Sequence, residues 1–338
     1  MKPCPLNRIT LILSLFAALT SCKQTNINKE ATMSADIYVA GINGDTALYW
    51  KNGLATGLGG GINNVFANSV FVSGTDVYVA GEQFLNGNEA AALWKNGALT
   101  LLADQSKSPL SYANSVFVSG SDVYVAGYTY SNGNIATYWK NQVPVYVGAA
   151  GSTANSVYVS GNDVYIAGGS ASGSQNRNAA TLWKNGTPTI LTNAGEAGYA
   201  SSVFISGSDV YVSGYKYTIS GSGSTAAVYW KNGSVTQLSA NNAKANSIYV
   251  SGNNVYVAGT DMVDGVNVAT FWKNGAATHL TGSTTASYGG AVAVSGQDVY
   301  VAGDSMNATG FPVATIWKNG TAIILETGYS IAYALYVK

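Results

Sequence analysis

Short runs of alternating hydrophobic and polar residues follow one another from residue 35 to residue 338, and turns that contain glycine separate them. In one stretch the runs are "ANSVFVSG", "TDVYVAG", "AALWKNG" and "ALTLLAD". Alternation with a period of two, in runs rich in Val, Tyr and Trp, predicts short β-strands. Because no segment shows a helical period, we expect an all-β protein.

One tryptophan marks each repeat of this four-strand pattern. The seven tryptophans are 42 to 47 residues apart, and Lys-Asn follows each of them. A unit of four short strands that recurs at this spacing is typical of a β-propeller. We therefore predict a seven-bladed β-propeller with four antiparallel strands per blade, named A, B, C and D in chain order. The tryptophans are Trp50, Trp94, Trp139, Trp183, Trp230, Trp272 and Trp317.

The two ends of the repeat region complement each other. The first unit begins at "DIYVAG" (36–41) and lacks a strand A, whereas the last segment, "IAYALYVK" (331–338), resembles a strand A with nothing after it. We expect residues 332–337 to pair with residues 37–41. The C-terminal strand would then complete blade one and close the ring, which removes the open edges of a linear array.

The recurring "DVYVAG" run resembles the bacterial propeller repeats of the kelch-like or "GxVYVxG" type, and the resemblance covers residues 35–338. It implies the propeller fold and carries no activity with it.

The N-terminus has the features of an export signal. Two basic residues precede an apolar run at residues 9–19, which is too short to span a bilayer as a helix. The segment "LTSC" then resembles the lipobox of bacterial lipoproteins. This resemblance implies a signal peptide over residues 1–21, lipidation of Cys22, and a polar tether over residues 22–34. The alternative is an ordinary signal peptide in which the cysteine is incidental.

A lipidated N-terminus would fix the location and one partner of the protein. We expect a chain anchored by its lipid to a membrane of the bacterial cell envelope. Lys23 follows the cysteine where some bacteria use aspartate as a retention signal, which favours the outer membrane.

Charge and composition exclude several classes of function. Without residues 1–21 the chain keeps 14 basic and 16 acidic side chains, so nothing attracts nucleic acid. The folded part has no cysteine for a disulfide, and His279 is the only histidine, which excludes a histidine-based metal cluster. We expect no cofactor and a monomeric protein.

The A–B and C–D turns should share one end of the propeller, here named the bottom face, and they hardly vary. An Asp at the start of strand B and the Lys after each Trp should meet across strands B and C. The lysines could alternatively form a basic ring for an anionic partner. We interpret Trp as packing between blades and Asn-Gly as the C–D turn. In blade three Gln142 replaces the glycine, which predicts a different turn or Gln142 at positive φ.

The B–C and D–A loops should form the opposite end, here named the top face, and they vary in length and sequence. Function on a rigid scaffold usually lies in such loops. Eight acids map to these loops or their margins, and two of them at a suitable spacing could perform glycoside hydrolysis or elimination. They are Glu82, Glu89, Asp104, Glu196, Asp261, Asp264, Asp304 and Glu326. Asp261 and Asp264 are also weak candidates for calcium ligands, although an Asp-Gly turn explains Asp264 equally well.

Aromatic and amide side chains recur at the expected top mouth of the channel. Rings beside amides suit carbohydrate or peptide ligands, but the tyrosines could instead brace the loops and the asparagines could bond around the channel. The candidate ligand-binding residues are Phe66, Tyr112, Tyr199, Tyr288, Asn68, Asn114, Asn155, Asn246, Tyr128 and Tyr215. The sequence thus predicts a binding or interaction module for a glycan or protein ligand. The alternatives are a hydrolase or lyase acting on glycans and a purely structural surface protein.

Overall fold

The computed structural model describes residues 35–59, 65–85, 87–103, 110–172, 177–218 and 223–338. Within these ranges the chain forms seven antiparallel sheets of four strands, as predicted, and no helix that could cross a membrane. The predicted signal peptide, Cys22 and the predicted tether lie outside the described residues. Residues 35–338 form one compact unit.

The strands are short, and strand B is among the longer strands of every blade. In chain order they are β1 (Ile37–Asn43), β2 (Thr46–Lys51), β3 (Leu54–Gly57), β4 (Val65–Ser73), β5 (Asp76–Leu85), β6 (Asn88–Lys95), β7 (Ala98–Leu101), β8 (Ser111–Ser119), β9 (Asp122–Tyr130), β10 (Asn134–Lys140), β11 (Val143–Ala150), β12 (Thr153–Ser160), β13 (Asp163–Ser172), β14 (Arg177–Lys184), β15 (Thr187–Ile190), β16 (Glu196–Ser206), β17 (Asp209–Thr218), β18 (Ala226–Lys231), β19 (Ser234–Ser239), β20 (Lys244–Ser251), β21 (Asn254–Val263), β22 (Val266–Lys273), β23 (Ala276–His279), β24 (Ser287–Ser295), β25 (Asp298–Met306), β26 (Pro312–Lys318), β27 (Thr321–Ile324) and β28 (Ser330–Val337).

The ring closes between the two ends of the chain. Blade 1 contains β28, β1, β2 and β3, and each later blade takes the next four strands, so that blade 7 is β24 to β27. β1 pairs with β28 from Ile37 opposite Val337 to Asn43 opposite Ser330, which confirms the predicted closure. Strands A of neighbouring blades pack against each other around the channel, and strands D lie on the outside.

The Trp-Lys-Asn-Gly segment forms the turn between strands C and D. Its Asn has φ near 50° and its Gly has φ between 78° and 88°, as a two-residue hairpin with both residues at positive φ requires. In blade 2 the Asn96 side chain also holds strand B: Oδ1 accepts from the Val77 amide at 2.9 Å, and Nδ2 donates to Asp76 at 2.8 Å. The equivalent Asn makes both bonds in all seven blades.

The lysine of each segment meets the first residue of strand B, as predicted. Six Lys to Asp ion pairs have distances of 2.7 to 3.1 Å, and blade 6 has Asn254 in place of the Asp. Lys95 and Asn96 together lower the pKa of Asp76. Because six of the seven lysines have an acidic partner, these lysines do not form an unpaired basic ring for an anionic ligand.

The seven tryptophans are completely buried, with 0 to 1% of each residue exposed. Trp94 of blade 2, for example, belongs to one hydrophobic cluster with Tyr38 and Ala40 of blade 1. The predicted packing between blades is therefore confirmed, and it explains why an indole recurs at this place in every repeat.

A β-bulge interrupts strand A at the same place in every blade. In blade 2 Ala67 pairs with Gly81 and Ser69 pairs with Ala80, so Asn68 is left unpaired between them. A Cβ on Gly81 would lie 1.8 Å from the Phe66 carbonyl oxygen, which explains the glycine at the end of every "VAG". The residues in the bulge position, here named the bulge residues, are Tyr333, Asn68, Asn114, Asn155, Ser201, Asn246 and Gly290.

Blade 3 keeps the two-residue turn although it lacks the glycine. Gln142 has φ of 72°, so the second of the two predicted outcomes is the correct one. We expect Gln142→Gly to raise the free energy of unfolding by about 1 kcal/mol, because a residue with a Cβ is strained in the left-handed region. Urea denaturation of the full-length chain measures the difference.

Blade 2 supplies the reciprocal control for this prediction. Gly97→Gln places the same side chain in an otherwise equivalent turn, where φ is 84°, and should lower stability by a similar amount. Equal stability of the wild type and both variants would contradict the assignment of strain to Gln142.

Candidate functional site

A cavity of about 530 Å³ opens at the top mouth of the channel. This mouth cavity has the size of a typical small-ligand site. Nine of its ten lining residues lie on strands A, and the tenth, Asp304, lies on β25 of blade 7. The lining residues are Asn114, Asn155, Asn246, Tyr288, Gly289, Gly290, Asp304, Ile331, Ala332 and Tyr333.

Three asparagines among the bulge residues form one side of the cavity. The bulge turns each side chain out of the A–B ladder and toward the next blade. Asn114 Nδ2 donates to the Ala154 carbonyl at 2.9 Å, and Asn246 Nδ2 donates to the Gly289 carbonyl at 2.8 Å. Asn155 donates in the same way to blade 5. These amides therefore connect the blades, and the predicted bonding of asparagines around the channel is present.

Blades 7 and 1 form the other side, and they depart from the repeat. Blade 7 has Gly290 where four other blades have Asn, and blade 1 has Tyr333. A Cβ on Gly289 would lie 2.6 Å from the Gly259 carbonyl oxygen, and a Cβ on Gly290 would lie 3.1 Å from the Ala332 carbonyl oxygen. The two glycines thus let β24 approach its neighbours closely.

Two acids occupy equivalent places on strand B and differ in their partners. In blade 2 the Asn68 amide donates to both oxygens of Glu82, at 2.8 and 2.9 Å. In blade 7 the residue at the Asn68 position is Gly290, which has no side chain. No described residue donates a hydrogen bond to the Asp304 carboxylate.

Burial raises the pKa of both acids. The pKa of Glu82 rises from 4.5 to about 8, because burial outweighs the opposing hydrogen bonds from Asn68 and the Ala113 backbone. The pKa of Asp304 rises from 3.8 to about 6, and burial is the cause. At neutral pH Glu82 is therefore mainly protonated, whereas Asp304 is mainly ionised although only 8% of the residue is exposed.

We predicted from the sequence that both acids lie in the top loops or at their margins. The structure corrects this prediction. Each lies within strand B, because strand B continues past its glycine and pairs with the residues that precede the bulge. Phe66 pairs with Glu82, and Tyr288 pairs with Asp304. Asp104, another of the eight acids, lies outside the described residues.

Four of the predicted tyrosines form two pairs across strands A and B. Tyr112 stacks on Tyr128 with ring centroids 4.5 Å apart, and Tyr199 contacts Tyr215 at 5.6 Å. Tyr112 also donates to Glu89 of the preceding blade. Such contacts brace the top face, as one of the two interpretations predicted.

The structure brings together four of the ten predicted ligand-binding residues in the mouth cavity. These are Asn114, Asn155, Asn246 and Tyr288. Tyr288 is 37% exposed, and its hydroxyl accepts a hydrogen bond from Asn267 at 3.1 Å. Phe66, Asn68 and the two tyrosine pairs do not line this cavity.

Below the bulge residues, toward the bottom face, a belt of aromatic rings lines the channel. Neighbouring centroids are 4.7 to 5.3 Å apart, and Ala293 takes the aromatic position in blade 7. This belt was not predicted from the sequence. The sequence signal for the belt is an aromatic residue three positions after the bulge residue, which occurs in six of the seven blades. The belt contains Phe71, Phe117, Tyr158, Phe204, Tyr249 and Tyr336.

The suggested calcium ligands have other roles. Asp261 is buried and accepts hydrogen bonds from Ser239 Oγ at 2.7 Å and from the Met262 amide at 3.0 Å. Asp264 has φ of 51° at the exposed tip of the Asp-Gly hairpin, as the alternative explanation expected. Among the described residues no three acidic, histidine or cysteine side chains form a group that could hold a metal ion.

One of the solved structures that resemble this chain supports the fold. The β-propeller domain of the Trilobed protease from Pyrococcus furiosus, described as having an open velcro topology, matches with a TM-score of 0.53 at 13% identity. The match covers 87% of this chain and 94% of that one. TolB from Acinetobacter baumannii matches with a TM-score of 0.48 at 10% identity, over 71% and 62% of the two chains.

The sequence itself gives no further assignment. No protein-family model matches the chain, and no curated protein has a similar sequence. The class established by the strands and by the structural neighbour is therefore the seven-bladed β-propeller, and any function must be argued from the residues of the site.

The two buried acids predict an unusual dependence of stability on pH. Folding raises the pKa of both carboxyl groups. Below about pH 4 the two acids therefore do not lower the free energy of unfolding. Their destabilising effect develops as the pH rises through about 6 for Asp304 and about 8 for Glu82. We expect Asp304→Asn to raise the free energy of unfolding at pH 8 by on the order of 2 kcal/mol, with little effect at pH 4. Urea denaturation at both pH values measures this change.

Added to Asp304→Asn, the substitution Glu82→Gln should further flatten the dependence of the free energy of unfolding on pH between pH 5 and pH 8. Asp264→Asn removes an acid from an exposed hairpin tip and serves as the control, with a wild-type profile expected. Identical profiles for Asp304→Asn and the wild type would contradict the burial of an ionised carboxylate.

Proposed function

We propose that this propeller is a binding module whose ligand enters the mouth cavity from the top face. The observation that carries the proposal is the lining of this cavity. One buried carboxylate that receives no hydrogen bond from a described residue, three amides and two tyrosines converge on a space of about 530 Å³. A concave site with a few convergent polar groups is the usual form of a ligand site.

The contrast between the two faces supports this choice. On the bottom face the Lys, Asp and Asn side chains bond to each other in nearly every blade. The mouth cavity instead depends on blades 7 and 1, where the bulge residues are Gly290 and Tyr333 in place of the common Asn. Residues with a structural role recur in every blade, whereas a site for a single ligand needs side chains that occur in one blade only. A glycan or a peptide segment suits the combination of rings and amides.

The hydrolase or lyase alternative has weaker support. Two carboxyl groups about 5 to 10 Å apart in one pocket would be needed. Asp304 is the one acid that lines the mouth cavity among the described residues, and the Glu82 carboxylate is held by Asn68. The geometry therefore favours binding over catalysis.

We further propose that Cys22 anchors the propeller to the bacterial cell envelope, which the "LTSC" segment supports. Mass spectrometry of the mature N-terminus tests this part of the proposal. A diacylglyceryl group on Cys22 is expected, and an unmodified cysteine in the mature protein would contradict it.

Glycan and peptide arrays probed with the purified full-length chain test the binding function. For a ligand found there, titration calorimetry should show at least about tenfold weaker binding by Tyr333→Ala, since truncation of a central aromatic residue in a site typically has this effect. Tyr146→Ala is the matched control, because Tyr146 lies on the outer strand β11 and is 62% exposed.

Thermal denaturation of both variants establishes that they are folded. Unchanged binding by Tyr333→Ala, or equal loss with Tyr146→Ala, would contradict the placement of the site. Absence of any ligand on both arrays would contradict a glycan or peptide binding function.

A further inference from the structure

Asp304 is a buried carboxylate that has no hydrogen-bond donor or ion-pair partner among the described residues. It is 8% exposed, it lines the mouth cavity, and no described residue donates a hydrogen bond to it. An ionised side chain that receives no hydrogen bond from the described residues in such a place is costly to the fold, so a partner from outside is the simplest reason for its presence.

Blade 2 provides a reference against which the surroundings of Asp304 can be compared. Glu82 occupies the equivalent position in blade 2 and receives two hydrogen bonds from Asn68. At the corresponding place in blade 7, Gly290 both removes the amide and leaves the carboxylate facing the cavity. The missing donor in blade 7 is therefore a local departure from the repeat.

We propose that the mouth cavity binds its ligand through a protonated amine, which forms an ion pair with Asp304. This inference rests on the proposed binding function and specifies the chemical class of the ligand. A neutral hydroxyl could donate a hydrogen bond, but it would leave a net charge buried, whereas an ammonium group supplies both the donor and the opposite charge.

No cationic side chain is found at the cavity in the part of the chain that the structure describes. The described lining residues include no lysine, arginine or histidine. Lys244 at the start of β20 is the nearby candidate in the sequence, but its Nζ lies 5.1 Å from the centroid of the Tyr215 ring, on the side of blade 5. Lys216 is paired with Glu196 at 2.6 Å.

Two tyrosines of the lining favour the same class of ligand. Burial, with nearby Tyr329, Asp304 and Glu82, raises the pKa of Tyr333 to about 12, so its ring stays neutral at physiological pH. Tyr288 pairs with Asp304 across β24 and β25. Aromatic rings beside a carboxylate attract ammonium groups through both the ring quadrupole and the charge.

A protonated amine could belong to an amino sugar or to a lysine side chain, and the probes separate these sources. The glucosamine trimer and its N-acetylated form have the same backbone and differ in charge. The peptides acetyl-Gly-Lys-Gly-amide and acetyl-Gly-(N-acetyl-Lys)-Gly-amide differ in the same way. Titration calorimetry with the full-length chain at pH 7.5 measures all four.

We expect at least one cationic probe to bind at least ten times more tightly than its acetylated form. Asp304→Asn should weaken that binding at least tenfold and remove the preference for the cation. Glu82→Gln is the matched control, because it changes an acid at the equivalent strand position outside the cavity lining, and its binding should stay within about twofold of the wild type.

The pH profile gives a second measurement, best made in the Glu82→Gln background. The titratable side chains on strands packed against β25 are Tyr288, Tyr333, Tyr336, Lys273 and Lys318. The two lysines lie at the bottom end of their strands, at 5.5 Å from tyrosine ring centroids. Burial raises the pKa of Tyr333 and of Tyr336 above the usual value for tyrosine. Amine binding should therefore weaken as the pH falls through about 6 and Asp304 gains a proton.

The outcomes separate this inference from the proposed function. If the acetylated probes bind as well as the cationic ones, and Tyr333→Ala but not Asp304→Asn weakens binding, the amine is excluded and the binding site stands. Loss of binding by Glu82→Gln as large as by Asp304→Asn also overturns the inference. If none of the four probes binds, the amine inference is overturned, while a ligand from the arrays that depends on Tyr333 would leave the proposed function in place.

Discussion

The pairing of β1 with β28 is the interaction on which the rest of the structure depends. It joins residues that are nearly 300 positions apart and supplies the inner strand of blade 1, so that each of the seven sheets has four strands. It also builds the candidate site, because Ile331, Ala332 and Tyr333 on β28 form one wall of the mouth cavity. The closure of the ring and the site therefore cannot be separated: weakening of the last strand would open both.

The residues that recur from blade to blade stabilise the ring. On the bottom face the Asn of each Trp-Lys-Asn segment joins strands B and C, and the indole fills the space between blades. On the top face the Asn bulge residues of blades 2, 3, 4 and 6 donate to the backbone of the next blade. A rigid scaffold of this kind can keep the Asp304 carboxylate buried, although an ionised side chain at this position lowers the stability of the fold.

Much of the fold could be predicted from the sequence because the same physical requirement appears seven times. The spacing of Trp50 and its equivalents gave the number of blades, and the incomplete first unit gave the closure by β28. The turn at Gln142 followed from a single departure from the repeat. The site was only partly predictable. Asp304 was predicted to be an acid of the top face, but its burial depends on how far strand B extends. The loss of the bulge amide beside it depends on the register that places Gly290 in the bulge.

The central claim is that the ligand contacts the residues that differ between blades and leaves the repeated bottom face free. Hydrogen–deuterium exchange of the full-length chain, with and without a bound ligand, tests it most directly. We predict slower exchange in peptides that contain residues 286–290, 303–306 and 330–334, with unchanged exchange at the seven Trp-Lys-Asn turns. Protection confined to those turns or to the outer strands, with none at the channel mouth, would contradict this account.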